Sequence, residues 1–249
     1  MNQRYGLKEV ANVIFFDIST GKPEIFFDTL KVSTIENESE SAEARGGQGN
    51  GKLLSWDFGR TATLTMQDAL LSDHSLAMLA GTQVKTTGIR VVGRETLTVT
   101  GDEASGLSVT LKETPVGVVT VYKAQGSILG TEITGVTVSG KEIDFAGGVD
   151  AGDQVMAFYE YEVASDAGAT QVTFSGNAFP ATYKVVGDTV VRGEDGKDRK
   201  MQFLIPKAKL QSTFSLTMDV ENVSTFDFNL DILTESGTNR LYDIVRLGS

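Results

Sequence analysis

Cysteine is absent from this 249-residue chain. That excludes a disulfide framework, a thiol nucleophile and any thiolate metal site, and it fits assembly in a reducing compartment. Histidine occurs once, at His74, and one imidazole without cysteines cannot build a typical zinc site. No apolar run approaches the ~20 residues of a membrane-spanning helix. The opening stretch MNQRYGLKEVANVIFFD has no short apolar core followed by a small-residue cleavage site, so no secretory leader is expected. The Asn-x-Ser triplets at Asn37 and Asn222 then carry little meaning, because glycosylation needs secretion. Basic residues are also short: 22 Lys and Arg against 33 Asp and Glu leave a net charge of −11. Gripping nucleic acid needs clustered Lys and Arg, so the balance argues against it. It suits plain solubility, or a surface to which DNA must not stick.

What the chain does have is enough apolar material to pack and a strong β pattern. Hydrophobic residues make up 40% and charged residues 22%, in a length that allows one large domain or two modest ones. Val13, Ile14, Phe15 and Phe16 precede a turn of Ser19, Thr20, Gly21, Lys22 and Pro23, and Ile25, Phe26 and Phe27 follow it, which reads as a β-hairpin. Residues 36–50, ENESESAEARGGQGN, hold four Glu and almost nothing to bury, so they read as a long exposed loop. Loops of that length are often functional, or ordered only by a partner. Residues 53–65 return to strand character, with Leu54, Trp56 and Phe58 on one face at period two, anchoring the loop to the core. Ser72 or Asp73 is a suitable N-cap and Gly81 a left-handed C′ residue, which predicts one short helix over 73–80.

Short alternating strands punctuated by Gly101-Asp102, Gly126-Ser127, Ser139-Gly140 and Gly152-Asp153 predict a small β-sandwich over 94–164. Residues 164–169 read as its exit linker. Beyond it, 171–175, the stretches around Val185 and Val190, 201–206, 214–218 and 226–232 read as strands, with Asp195-Gly196 as a hairpin turn. The expected organisation is one discontinuous β domain, 1–93 with 165–249, carrying 94–164 as an insert.

Three patterns bear on chemistry. Gly46-Gly47-Gln48-Gly49-Asn50-Gly51-Lys52 matches the first seven positions of a phosphate-binding loop, but the eighth, Leu53, has no hydroxyl for magnesium. Such a loop must also follow a buried strand and open a helix. Here an acidic stretch precedes and a strand follows, so no nucleotide site is expected. His74 reads as a helix-start or surface residue, and no G-x-S-x-G elbow exists to pair with it. Carboxylates such as Asp144, Asp150, Asp153, Glu160, Glu162, Asp195, Asp198, Asp227 and Asp231 follow no calcium-loop spacing and read as solvated turns and strand faces.

The stretch ARGGQGNGKLLSWDFGR at 44–60, the helix after it, and PATYKVVGDTVVR with KMQFLIPKAKLQSTFSLTMDVENVSTFDFNLDIL near the C-terminus resemble the tail tube (major tail) proteins of tailed bacteriophages. The resemblance covers 1–93 and 165–249. The middle module is similar to the Ig-like insertions of phage virion proteins. The family implies a mainly β fold: a tail-tube-type β-sandwich or half-barrel with one short helix, plus the inserted Ig-like β-sandwich. It implies a structural virion protein of the tail, assembled in the host cytoplasm, with no catalytic residue, metal or cofactor and no membrane. Its partners would be itself, in stacked hexameric rings with strands joined across subunits, and other tail proteins, with DNA passing through an acidic lumen without specific binding. By position, 36–52 would be the loop that reaches the next ring, with Glu36, Glu38, Glu40, Glu43, Arg45, Gly46, Gly47, Gly49, Gly51 and Lys52 as inter-subunit residues. The competing readings are another tail or baseplate ring protein, a glycan-binding module carried by the insert, and a hydrolase with carboxylates paired in space.

Overall fold

Alternation of apolar and polar residues produces seventeen strands and one helix among the described residues of the computed structural model. The structure describes residues 4–248 apart from Lys8, Glu103, Ser105, Ser127, Asp219 and 221–224, and omits the Gln125 side chain; the Asn222 triplet lies outside the described residues. The chain divides into two compact units, 1–84 with 172–249, and 85–171.

The first unit contains β1 (Tyr5–Leu7), β2 (Asn12–Asp17), β3 (Pro23–Phe27), β4 (Leu30–Gly46), β5 (Gly51–Asp68) and α1 (Asp73–Ala80). The second holds β6 (Arg90–Thr98), β7 (Thr100–Asp102), β8 (Gly106–Thr110), β9 (Pro115–Gln125), β10 (Ile128–Ile133), β11 (Val136–Ser139), β12 (Glu142–Phe145) and β13 (Gln154–Glu162). The chain then returns to the first unit with β14 (Thr182–Gly193), β15 (Asp198–Leu210), β16 (Phe226–Ile232) and β17 (Asp243–Arg246).

In the first unit the strand order is β3-β2-β14-β15-β16-β5-β4, all antiparallel, with β1 continuing the β2 position beside β14 and β17 the β16 position beside β15. The two ends of that order, β3 and β4, are separated in sequence only by Asp28 and Thr29. Three chain steps reach no further than about 11 Å, so the sheet curls until the end of β3 lies close to the start of β4, while the two strands are not paired with each other. Phe27 fills the corner against Phe228, ring centroids 5.0 Å apart, and the Thr29 hydroxyl donates to the buried Asp68 carboxylate at 2.5 Å. Val13, Phe15, Leu64, Met66, Val185, Ile205, Phe228 and Leu230 are fully buried inside the curl, one face of each strand at period two.

Helix α1 covers part of this core with Met78 and Leu79. Its ends follow from local chemistry. The Ser72 hydroxyl accepts from the Ser75 amide at 3.1 Å, and the Ser72 amide donates back to the Ser75 hydroxyl at 3.1 Å. Gly81 stops the helix at φ 64°, and a Cβ there would sit 2.2 Å from the Phe179 carbonyl oxygen, so glycine is needed for both conformation and space. Two expected strands are not present. At 171–175 there is only an isolated bridge, Gln171 with Lys85, and 214–218 has no strand. These segments are held by side chains instead, Phe174 lying against Phe214 at 5.2 Å.

The second unit is a pair of four-stranded sheets, β10-β9-β13-β6 and β11-β12-β8-β7. Val109 and Ile143 of one sheet and Val121, Val155 and Ala157 of the other share its core. Its first long strand opens at Arg90, paired with Glu162. The Tyr159 hydroxyl donates to Glu95 and accepts from the Glu113 amide at 3.3 Å. Burial first, and the Glu95 bond second, push the Tyr159 phenol up to about 12.

Candidate functional site

Residues 36–50 are not a loop. They form the outer half of β4 and the turn of a long antiparallel hairpin, paired with β5 from Asn37–Ala62 out to Gly46–Gly51. A stretch with nothing to bury can still be a strand when a partner strand satisfies every second backbone group, and that partner begins only at Gly51. The turn uses Gly47 (φ 80°), Gly49 (φ 88°) and Asn50 (φ 49°), so the glycine cluster closes a hairpin. Gly51 and Lys52 open a strand, which is the wrong context for a phosphate loop.

Past Ala62 this hairpin is an arm exposed on both faces. Its two faces differ. On one, Glu40, Ala42 and Ala44 stand opposite Phe58, Trp56 and Leu54. On the other, Ser41 and Glu43 stand opposite Asp57 and Ser55. The exposures are high for such residues: Leu53 65%, Leu54 58%, Trp56 56% and Phe58 52%. Trp56 therefore does not anchor the arm to the core.

The reason is a bulge. Glu38 pairs with Thr61 but Glu40 pairs with Phe58, so Gly59 and Arg60 together face Ser39, with Gly59 at φ 61°. One extra residue inverts every side chain beyond it. Ala62, Leu64 and Met66 face the core, and without the bulge Phe58, Trp56 and Leu54 would continue that face. With it they lie on the opposite one.

The residues singled out from sequence separate accordingly. Glu43, Arg45 and Lys52 come together on the polar face near the tip: Glu43 accepts from Arg45 Nη2 at 2.6 Å and pairs with Lys52 Nζ at 2.5 Å. Glu36, Glu38 and Glu40 lie on the face of the aromatic row, and no ion pair is described for them. Gly46 and Gly51 close the ladder and Gly47 and Gly49 the turn. From sequence, Leu53 is left out and Leu54, Trp56 and Phe58 turn toward the core; the structure leaves all four exposed on the arm, and the one signal for it in the sequence is Gly59 within the strand.

The Lys52 ammonium first and the Arg45 guanidinium second hold the Glu43 carboxyl below the ordinary glutamate range. A lowered folded value means the contribution is present above the unfolded pKa and lost as pH falls through the folded one. Carboxyl NMR is expected to show Glu43 titrating upward again in a Lys52→Ala, Arg45→Ala variant; an unchanged Glu43 midpoint contradicts the triad.

Elsewhere, a cavity of about 450 Å³ beside α1 is lined by His74, Met78, Thr82 and Tyr183, with Glu24 as its one acidic residue. His74 lies 3.1 Å from the Glu24 carbonyl oxygen. A lone acid beside an imidazole tied to backbone is not the carboxylate pair that hydrolysis of a glycoside uses. Among the described residues no cluster of His, Asp and Glu could hold a metal ion, and no helix is long and apolar enough to cross a membrane. Compared with known protein families, residues 5–246 match the one described as the YomU/Tube protein family. No curated protein matches the chain.

Proposed function

The chain belongs to the YomU/Tube protein family, of phage tail tube proteins, and from that premise we propose that it is the tail tube subunit itself, assembling into stacked hexameric rings that conduct DNA. The observation that carries this reading is the arm. A monomer rarely leaves Leu53, Leu54, Trp56 and Phe58 in water on one projecting hairpin, and such a patch marks an interaction surface. Residues 36–52, with Glu36, Glu38, Glu40, Glu43, Arg45, Gly46, Gly47, Gly49, Gly51 and Lys52, act within that arm as the segment that contacts the neighbouring ring.

Two further features support self-assembly. Strands β3 and β4 each have one edge without a partner among the described residues, and an open edge that is a liability in a monomer is a joint in a ring. The net charge of −11 lets phosphate slide past without sticking. The inserted unit is read as an Ig-like sandwich, and the protein resides in the virion tail after assembly in the host cytoplasm.

Negative-stain microscopy of the purified protein tests this. Rings or tubes are expected. Single rings that never elongate point instead to a baseplate-type ring protein, and a persistent monomer that binds glycans overturns the reading in favour of a recognition module.

A further inference from the structure

Where the arm leaves the curled sheet, the opposite side of the ribbon holds an apolar groove of about 250 Å³. Its walls are Leu7, Ile35, Leu64, Met201, Phe203 and Ile244, with Glu9 at the same site. Leu7 is 59% and Ile244 56% exposed, so the groove is open to solvent. Arg246 pairs with Met201 across β17 and β15, which places its side chain on the groove face, and its guanidinium lies 5.2 Å from the centre of the Tyr5 ring.

Resting on the reading that the chain assembles with itself, we propose that this groove is the acceptor site for the aromatic row of the arm of another copy. The fit is chemical. Trp56 and Phe58 are flat apolar groups that need a dry slot, and the indole N–H needs an acceptor once buried. The groove offers apolar walls, with Ser33, Thr189 and Glu9 as the polar residues of its lining. Beside the aromatics on the same arm face runs the row Glu36, Glu38 and Glu40, and beside the groove stands Arg246. Charges of opposite sign thus flank both halves and fix the orientation.

The occupant has to be a second molecule. Ile35 and Leu64 form a register pair whose side chains face the core and line the groove. Because of the Gly59–Arg60 bulge, the aromatic row points to the other side of the same ribbon. One chain therefore presents donor and acceptor back to back. A contact between two different patches of identical subunits is heterologous, and repeated copies of it propagate instead of closing as a pair. That is the geometry a stacked tube needs. The anchors sit at the centre of the arm face, with alanines around them, as in interfaces whose energy is concentrated in a few aromatic side chains.

The absence of cysteine from the chain makes the test clean. Ala42 is exposed and directly opposite Trp56, and Ile244 is exposed at the groove, so Ala42→Cys and Ile244→Cys leave both the fold and the aromatics intact. Mixed under mild oxidation in assembling conditions, the two single variants are expected to give a covalent dimer that neither gives alone, and the doubly substituted chain a ladder of multimers. Ser41→Cys, on the polar face, is expected to give no product with Ile244→Cys. Rings or tubes forming without a 42–244 product, or with 42–42 dimers instead, overturn the docking site while leaving tube formation standing. Failure of the unsubstituted protein to form rings or tubes in microscopy overturns the function reading itself and the docking site with it.

Discussion

A chain in which residues 39–60 are replaced by an Asn-Gly turn is expected to fold and to remain monomeric. Glu38 and Thr61 are a register pair, so a two-residue turn can close the shortened hairpin without disturbing the ladder below it. The core begins at Ala62, and the removed segment contributes none of the residues that form the buried cluster. The thermal transition should therefore change little. Assembly should change greatly, because an aromatic anchor at an interface is worth about 2–4 kcal/mol, or roughly 30- to 1,000-fold in affinity, and the deletion removes both Trp56 and Phe58. Sedimentation velocity checks it. Normal tubes from the shortened chain contradict the role of the arm.

Gly187→Ala is expected to damage the first unit severely. Gly187 stands opposite Phe203 between β14 and β15, and the Phe203 ring lies across it, in the space a side chain would take. An added Cβ would fall 1.9 Å from Cζ of that ring and 2.1 and 2.5 Å from its two Cε atoms. The ring must leave. Its loss from the core forfeits part of the ~1.5–3 kcal/mol that burial of a large apolar side chain supplies, and overpacking adds about 1–3 kcal/mol. A total of roughly 3–5 kcal/mol is a large share of the 5–15 kcal/mol that holds a domain together. Chemical denaturation measures it, and Phe203→Leu in the same chain should recover part of the loss, since neighbouring substitutions couple. A cost under about 1 kcal/mol is incompatible with the Gly187–Phe203 packing.

The parts of this molecule governed by local chemistry were readable from sequence. Ser72 and Gly81 mark the helix ends, and the hairpin at 13–27 and the Asp195-Gly196 turn announce themselves by turn residues between apolar runs. The parts decided by distant partners were not. Residues 36–46 carry almost no β signal of their own, and they become strand only because 51–62 pairs with them. Trp56 and Phe58 show the limit most clearly. Their even-numbered spacing with Ala62, Leu64 and Met66 puts them on the core face if the strand is regular. Gly59 and Arg60 break that regularity, and a glycine in a strand signals such a break without saying which face wins. The Phe203–Gly187 contact is likewise invisible in a sequence, because it depends on the register between two strands. For the same reason the composition of 36–50 drew attention to glutamates and glycines, while the groups with the greatest apolar exposure lay just beyond it.

Trp56 is the single tryptophan of the chain, so its fluorescence reports the arm and nothing else. The most direct test of the account is to follow that emission, with its accessibility to an aqueous quencher, while the protein passes from subunits to assembled particles. The account predicts a shift to shorter wavelength and strong protection from the quencher in step with assembly. Assembled particles in which Trp56 stays as exposed as in the free subunit would contradict it.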